Sequence, residues 1–412
     1  MKLVLFAHTP PPHHGQSAMT QLLLDGLGGD ARLRAPGEGL PPHGIEVFHV
    51  NARLSSSTED IGRAQWRKPL LLLRCCVEAL WCRVRHGAAH FYYIPAPPAR
   101  APLVRDWMVM ALCRPSFRTV TLHWHAAGLG EWLATKARPW ERAFTRWLLG
   151  GHRLSIVLAE SNRRDAEALG ARRIEVVPNG IPDPCPRFED DVLPRRAARA
   201  EHRAQLLAGG LPSANPAAGD DAATFRVCFL GLCARSKGLF DALDAVALLH
   251  RRLRELAAPV RVRLTVAGAF ADAATRAEFE GRIAQPDLHD GAEPVVRWAG
   301  FVNAADRDRL LREGDCLCFP TFYEAESFGL VVVEAMACGL PVVATRWRAI
   351  PELLPDGSAT LVEPRSPEQV ADALESVLRA PPDPRALRQR FVERFTADRH
   401  IGGVLSALRS PG

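Results

Sequence analysis

At 412 residues, with 47% hydrophobic and 24% charged side chains, the chain has the balance of a globular protein and the length of two domains. Its formal charge of +6 rests on 52 basic residues, of which only Lys2, Lys68, Lys136 and Lys237 are lysine and 48 are arginine. That excess comes with abundant alanine and proline and reads as compositional bias; with no basic block interleaved with aromatics, no nucleic-acid partner is expected.

The opening run Lys2–Ala7 is too short and too lightly flanked for a signal peptide and is expected as a buried strand. A Pro/Gly loop (Pro10 to Gly15) and a helical pattern (17–27) follow. Further strands are expected at 45–50, 90–94, 119–123, 155–159 and 174–177, with helical patterns between most of them. Trp66 to Arg85 combines an apolar run with Arg67, Lys68, Arg74, Arg83 and Arg85. It reads first as a buried domain helix with flanking charges, and second as a cationic helix in peripheral contact with a membrane.

From Pro182 to Thr224 the sequence is rich in Pro, Ala, Arg, Asp and Gly. It is expected as a linker with a mobile insertion and one short helix over 197–207. The strand–glycine loop–helix opening then repeats: strand 225–230, loop Gly231 to Gly238, helix 239–249. Strands follow at 260–267, 295–298, 316–319, 341–344 and 359–362. Alternation of this kind predicts an α/β protein with two Rossmann-like, doubly wound parallel-sheet domains facing a central cleft. The expected boundaries are 1–185 for the first domain, 186–224 for the linker, 225–385 for the second domain and 386–412 for a C-terminal tail helix.

Ten cysteines show no metal-ligand spacing and no window approaches ~18 uncharged apolar residues. Free thiols in the cytoplasm, without a membrane span, are the expectation. Asp306-Arg307-Asp308 has the D-x-D form of some metal sites, but the helical pattern that follows makes it a helix-start face, and no metal is expected.

The segment richest in chemistry is 318–345. A strand ends near Pro320, a loop follows, and a helix is expected from Phe328 to Cys338 with Gly339 as its stop. Free N–H groups at Gly329, Leu330 and Val331, with the helix dipole, form a site for a diphosphate. Glu326 lies in the loop and Glu334 inside the helix. If both were helical, ~12 Å would separate them, too far for a shared proton and suited to two ends of one elongated ligand. A lone Glu in an apolar helix reads equally as half of a buried salt bridge.

Glu326-x7-Glu334, followed by Ala-Met-Ala-Cys-Gly-Leu-Pro-Val-Val-Ala-Thr, resembles the signature of the family 4 retaining glycosyltransferases, which have the GT-B fold. The resemblance extends to Val177-Pro178-Asn179-Gly180-Ile181, Leu230-Gly231 with Ser236-Lys237-Gly238, Val266-Ala267-Gly268 and Trp298 to Val302. It runs from about 176 to 364 and is thinner in the first domain.

It implies Glu326 on donor-sugar hydroxyls, Glu334 on the ribose, and Lys237 on the diphosphate. Ser327, Phe328, Gly329 and Leu330 belong to the same donor site. It implies a first-domain glycine loop at Gly15 and Gln16, where Ser17 reads as a helix cap, and a histidine at the end of strand 119–123, which His125 matches better than His123. The chain departs from the family at Leu232, where an arginine is usual; Arg235 stands two residues before Lys237 as a replacement.

The implied activity is retaining transfer from a nucleotide-diphosphate sugar to a glycan or lipid-linked acceptor, in bacterial surface polysaccharide or glycolipid synthesis. No cofactor is obligatory, and the setting is the cytoplasm or the inner membrane face. The alternatives are a nucleotide-sugar epimerase of the same fold and an inactive nucleotide-binding homologue.

Overall fold

The computed structural model describes residues 1–11, 14–35, 39–53, 67–211, 215–357 and 359–410. Pro12, His13 and Trp66, each part of a segment singled out above, lie outside them. The chain divides into two compact units: residues 1–180, 324–328 and 397–412 make the first, residues 181–323 and 329–396 the second.

The first unit holds a six-stranded parallel sheet in the order β2-β1-β3-β4-β5-β6. Its strands are β1 (Lys2–Ala7), β2 (Glu46–Asn51), β3 (His90–Tyr93), β4 (Thr119–His123), β5 (Leu154–Val157) and β6 (Ile174–Val176). Leu3, Val4, Leu5 and Phe6 are all buried, as a parallel sheet covered on both faces requires. One face packs on a cluster that includes Leu72, Cys76, Leu103 and Met110. The other packs on one that includes Leu23, Val404 and Leu408.

The second unit holds β7 (Thr224–Leu230), β8 (Arg261–Ala267), a short antiparallel hairpin of β9 (His289–Asp290) and β10 (Glu293–Pro294), then β11 (Val296–Trp298), β12 (Cys316–Phe319), β13 (Val342–Thr345) and β14 (Ala359–Val362). Its parallel sheet has the order β11-β8-β7-β12-β13-β14. Two six-stranded parallel sheets with helices bear out the α/β reading; the hairpin is too short to leave a periodic signal.

The boundaries differ from those expected. The opening stretch of the first unit ends at Gly180, and the tail divides: Pro384–Arg394 belongs to the second unit and Ala397–Arg409 to the first. The last helix stays with the first unit because Val404 and Leu408 complete its core.

The segment expected as a mobile insertion is corrected as well. It carries the helix Leu193–Leu207, whose Arg196, Arg199 and Arg203 are all buried. Arg199 and Arg203 meet Asp315 at 2.9 and 3.1 Å, and Arg196 donates to the carbonyls of Cys338 at 2.6 Å and Leu311 at 3.1 Å. The arginines that made this stretch look solvated are what bind it to the second unit.

Candidate active site

In the second unit the sheet order reverses between β7 and β12, since β8 and β11 lie to one side and β13 and β14 to the other. Ligands of doubly wound sheets bind beyond the carboxyl ends of the strands at such a switch point. The two loops that leave those ends carry Lys237 and the Glu326–Leu330 segment.

Each loop turns on a glycine in the left-handed region, Gly238 at φ 77° and Gly329 at φ 87°, a conformation that penalises any side chain. At Gly238 a Cβ would also collide with the carbonyl oxygen of Pro320 at the end of β12. Absence of a side chain there lets the two loops pack: Phe322 N–H donates to Ser236 O at 2.8 Å. Lys237 Nζ comes to lie 4.6 Å from the ring centroid of Tyr323 and 5.9 Å from that of Phe319.

The helix after β12 runs over Leu330–Ala337, two residues later than expected, because Gly329 at its N-cap is left-handed. Leu330 and Val331 stand in its first turn, where N–H groups have no intrahelical acceptor. Glu334 is buried one turn on. Its Oε1 accepts from Arg307 Nη1 at 2.8 Å, and Arg307 also holds Asp308 Oδ1 at 2.7 Å. Burial outweighs the arginine and pushes the Glu334 carboxyl up to about 7.

Arg307 belongs to the D-R-D sequence expected only as a helix-start face. Asn303 does cap that helix, accepting from Asp306 N–H at 3.0 Å. Nothing local in the sequence showed that Arg307 turns inward. Arg235, the expected replacement for the missing arginine, pairs with Glu278 and lies 4.6 Å from the Phe240 ring centroid. A role on phosphate would require it to leave that pair. Leu232 is exposed.

In the first unit β4 ends at His123, and His125 follows in a locked loop. Asp165 accepts from Gly128 N–H at 2.8 Å and from Gly130 N–H at 2.7 Å. Ser327 Oγ donates to His125 O at 2.8 Å, while Asn162 Nδ2 donates to Ser327 O at 2.7 Å. Ser327 therefore fastens buried Glu326 beside the His125 loop. Asn162 had no signal in the sequence beyond following a strand.

His123 is fully buried with Nδ1 2.6 Å from the Tyr92 hydroxyl, and its ring centroid lies 4.3 Å from His125 and 5.9 Å from His400. Burial, then the neighbouring imidazoles, lower His125 to about 3; burial drives His123 well below its ordinary value as well. Both are neutral at physiological pH, when each imidazole offers one donor and one acceptor. Such groups suit hydroxyls better than proton transfer.

The loop after β1 adds His8, lowered to about 4 chiefly by burial, with its Nε2 2.8 Å from His14 Nε2. Gly15 and Gln16 open the helix Gly15–Gly26. Its N-cap is His14 and not Ser17; Ser17 stands at the third helical position and completes a reciprocal capping box.

With this geometry in view, residues 224–380 match the family described as glycosyl transferases group 1. D-inositol 3-phosphate glycosyltransferase of Pseudarthrobacter chlorophenolicus is 34% identical over 162 residues, 39% of this chain and 36% of that protein. Its namesake in Segniliparus rotundus is 30% identical over 247 residues, 59% of this chain and 48% of that one. The chain thus spans between a third and a half of the length of these curated relatives.

HepE of Anabaena, solved with UDP, with UDP and glucose and with UDP-glucose, is 18–19% identical over 99–100% of both chains, with TM-scores of 0.61–0.63. Similarity at that level establishes the fold, GT-B. The group 1 match covers the Lys237 loop, Arg307 and the Glu326–Glu334 segment; His125 lies outside it.

Proposed function

We propose that the protein is a retaining glycosyltransferase that takes a sugar from a nucleoside-diphosphate sugar and delivers it to a glycan or lipid-linked glycan. The observation that carries this reading is the switch point of the second sheet. There Lys237 and the left-handed turn into Leu330–Ala337 leave the same pair of neighbouring strands.

In this reading the N–H groups of Leu330 and Val331 hold the diphosphate, and Lys237 offsets the charge that grows on it as the glycosidic bond breaks. Glu334, with Oε1 held by Arg307, offers its second oxygen to the ribose. Glu326 and neutral His125 hold the sugar hydroxyls. The departing phosphate accepts the acceptor's proton on the face it leaves, which preserves the anomeric configuration without a protein nucleophile. No metal is obligatory, because the leaving charge rests on the lysine and the helix start. The names of the curated relatives and the UDP bound by HepE make UDP-sugars and a phosphorylated polyol the first substrates to test. Surface polysaccharide or glycolipid assembly is the proposed setting.

The test is incubation with UDP-glucose, UDP-galactose and GDP-mannose, with and without acceptor, followed by NMR of the product anomer. Transfer with retention supports the proposal. An epimerised donor formed without acceptor, or an inverted product, overturns it. A nucleotide that stabilises the protein by about 2.7 kcal/mol at 100 times its Kd identifies the base.

Glu334 makes donor binding pH-dependent. Its pKa of about 7 leaves it mostly protonated at pH 6 and mostly ionised at pH 8. If the carboxylate is the form that accepts from the ribose, apparent affinity rises about ten-fold from pH 6 to pH 8. Glu334→Gln is expected to flatten that dependence in calorimetric titrations. The sign for folding is opposite: a raised carboxyl pKa favours the folded state at low pH, and that contribution fades as pH climbs from about 4.5 through about 7.

A further inference from the structure

Three helices of the first unit cover one face of its sheet, and their outward sides are unusually apolar. Arg100–Cys113 packs against both Arg67–His86 and Pro139–Leu149, and the inward residues of all three join one core. Of the nineteen large hydrophobic side chains exposed among the described residues, eleven lie on these helices.

On Arg67–His86 they form a stripe, Leu70, Leu73, Val77, Trp81 and Val84, at the three- and four-residue spacing of one helical face. That face is additional to the inward one made by Leu72, Cys76, Ala79 and Cys82. On Pro139–Leu149, Trp140 is 55% and Trp147 70% exposed, with Phe144 between them. Trp107 links the helices, 5.7 Å from Trp140 and 5.1 Å from Phe144 between ring centroids. A core that needed covering would not turn two tryptophans outward.

The fully exposed charges on these three helices and at their ends are basic. Arg74, Arg85, Arg118, Arg138 and Arg146 are exposed along the three helices and their ends. The acidic side chains of the same helices are committed elsewhere. Glu78 pairs with Arg32 at 2.7 Å, Asp106 is fully buried against Tyr93 and Arg105, and Glu141 is buried and holds Arg100 at 3.0 Å. Among the described residues no helix is long and apolar enough to cross a membrane. An apolar stripe flanked by cations is the pattern of a helix face that lies in a membrane interface.

We propose that this face seats on the headgroup region of an anionic lipid bilayer, with Trp81, Trp140, Phe144 and Trp147 in the interfacial layer and the arginines against lipid phosphates. A second copy of the chain fits less well, because a self-complementary interface would bring like-charged rims together.

The test is flotation of the full chain with phosphatidylcholine vesicles, with and without phosphatidylglycerol, across a salt series. Binding is expected only when the anionic lipid is present, and weakening as salt rises. Trp140→Ala with Trp147→Ala is expected to lower partitioning about ten-fold or more. Arg74→Gln and Arg85→Gln are expected to cost about five-fold each. These positions are exposed, so an unchanged thermal transition checks the fold of each variant. Equal binding to neutral and anionic vesicles, or none to either, overturns the proposal. So does concentration-dependent dimerisation, seen by light scattering, that the tryptophan substitutions abolish without any vesicle binding.

Discussion

Lys237→Ala is expected to lower kcat/KM for sugar transfer by about 10²–10³-fold, most of it in kcat, the usual cost of removing one group that meets charge developing in a transition state. The reason lies in how the lysine is held. Gly238 has no side chain to strike Pro320, so the turn Arg235–Lys237 packs on the end of β12, and Lys237 Nζ rests 4.6 Å from the Tyr323 ring centroid. An ammonium already seated over an aromatic face loses little freedom on meeting a phosphate. Its neighbour does not duplicate it, since Arg235 is engaged by Glu278 and Leu232 occupies the site of the other expected cation. Lys237→Arg should restore only part of the rate, because the guanidinium is longer and differently shaped. Steady-state kinetics on the donor identified by thermal shift decide the matter. A Lys237→Ala enzyme within three-fold of the parent would remove the lysine from the reaction.

The second large effect concerns stability. Asp315→Ala is expected to destabilise the second unit by about 3–5 kcal/mol, the range for breaking a buried ion pair from one side. Asp315 receives Arg199 at 2.9 Å, Arg203 at 3.1 Å and the backbone N–H of Arg226 at 3.0 Å. The side chains of Asp315, Arg199 and Arg203 are all buried, and the substitution would leave two guanidinium groups without their anion. At about 2–4 °C per kcal/mol for a unit of this size, the thermal transition that a bound nucleotide shifts should fall by roughly 6–20 °C. Replacing Asp315 together with Arg199 and Arg203 by apolar residues of similar volume should cost less than Asp315→Ala alone, since the penalty is the stranded charge. A loss below about 1 kcal/mol for the single substitution would show that water reaches the cluster.

Much of the fold and some of the candidate site were legible from residue order. Apolar runs of three to seven residues between helical patterns marked the parallel strands, since a strand buried on both faces is apolar along most of its length, as 316–319 and 342–344 are. The positions of Gly238 and Gly329 marked two turns that no other residue makes cheaply. The run from Glu326 to Thr345 marked the segment proposed above to hold the donor. Each of these signals is local: the physics that produces it acts between residues a few positions apart.

Only the tertiary structure decided the rest. Arg307 reads as a surface residue of a helix start until the sheet brings Glu334, twenty-seven positions on, to its guanidinium. Arg196, Arg199 and Arg203 read as a solvated linker until Asp315 and the carbonyl of Cys338 meet them. His125 was legible as a candidate, but its neutrality was not, because that follows from burial beside His400 and His14, which other elements supply. The sequence by itself determined which residues the backbone could turn on and which faces had to be dry. The tertiary structure alone set which charges are paired, which imidazoles stay neutral and which apolar face remains uncovered, because each depends on partners distant in the chain.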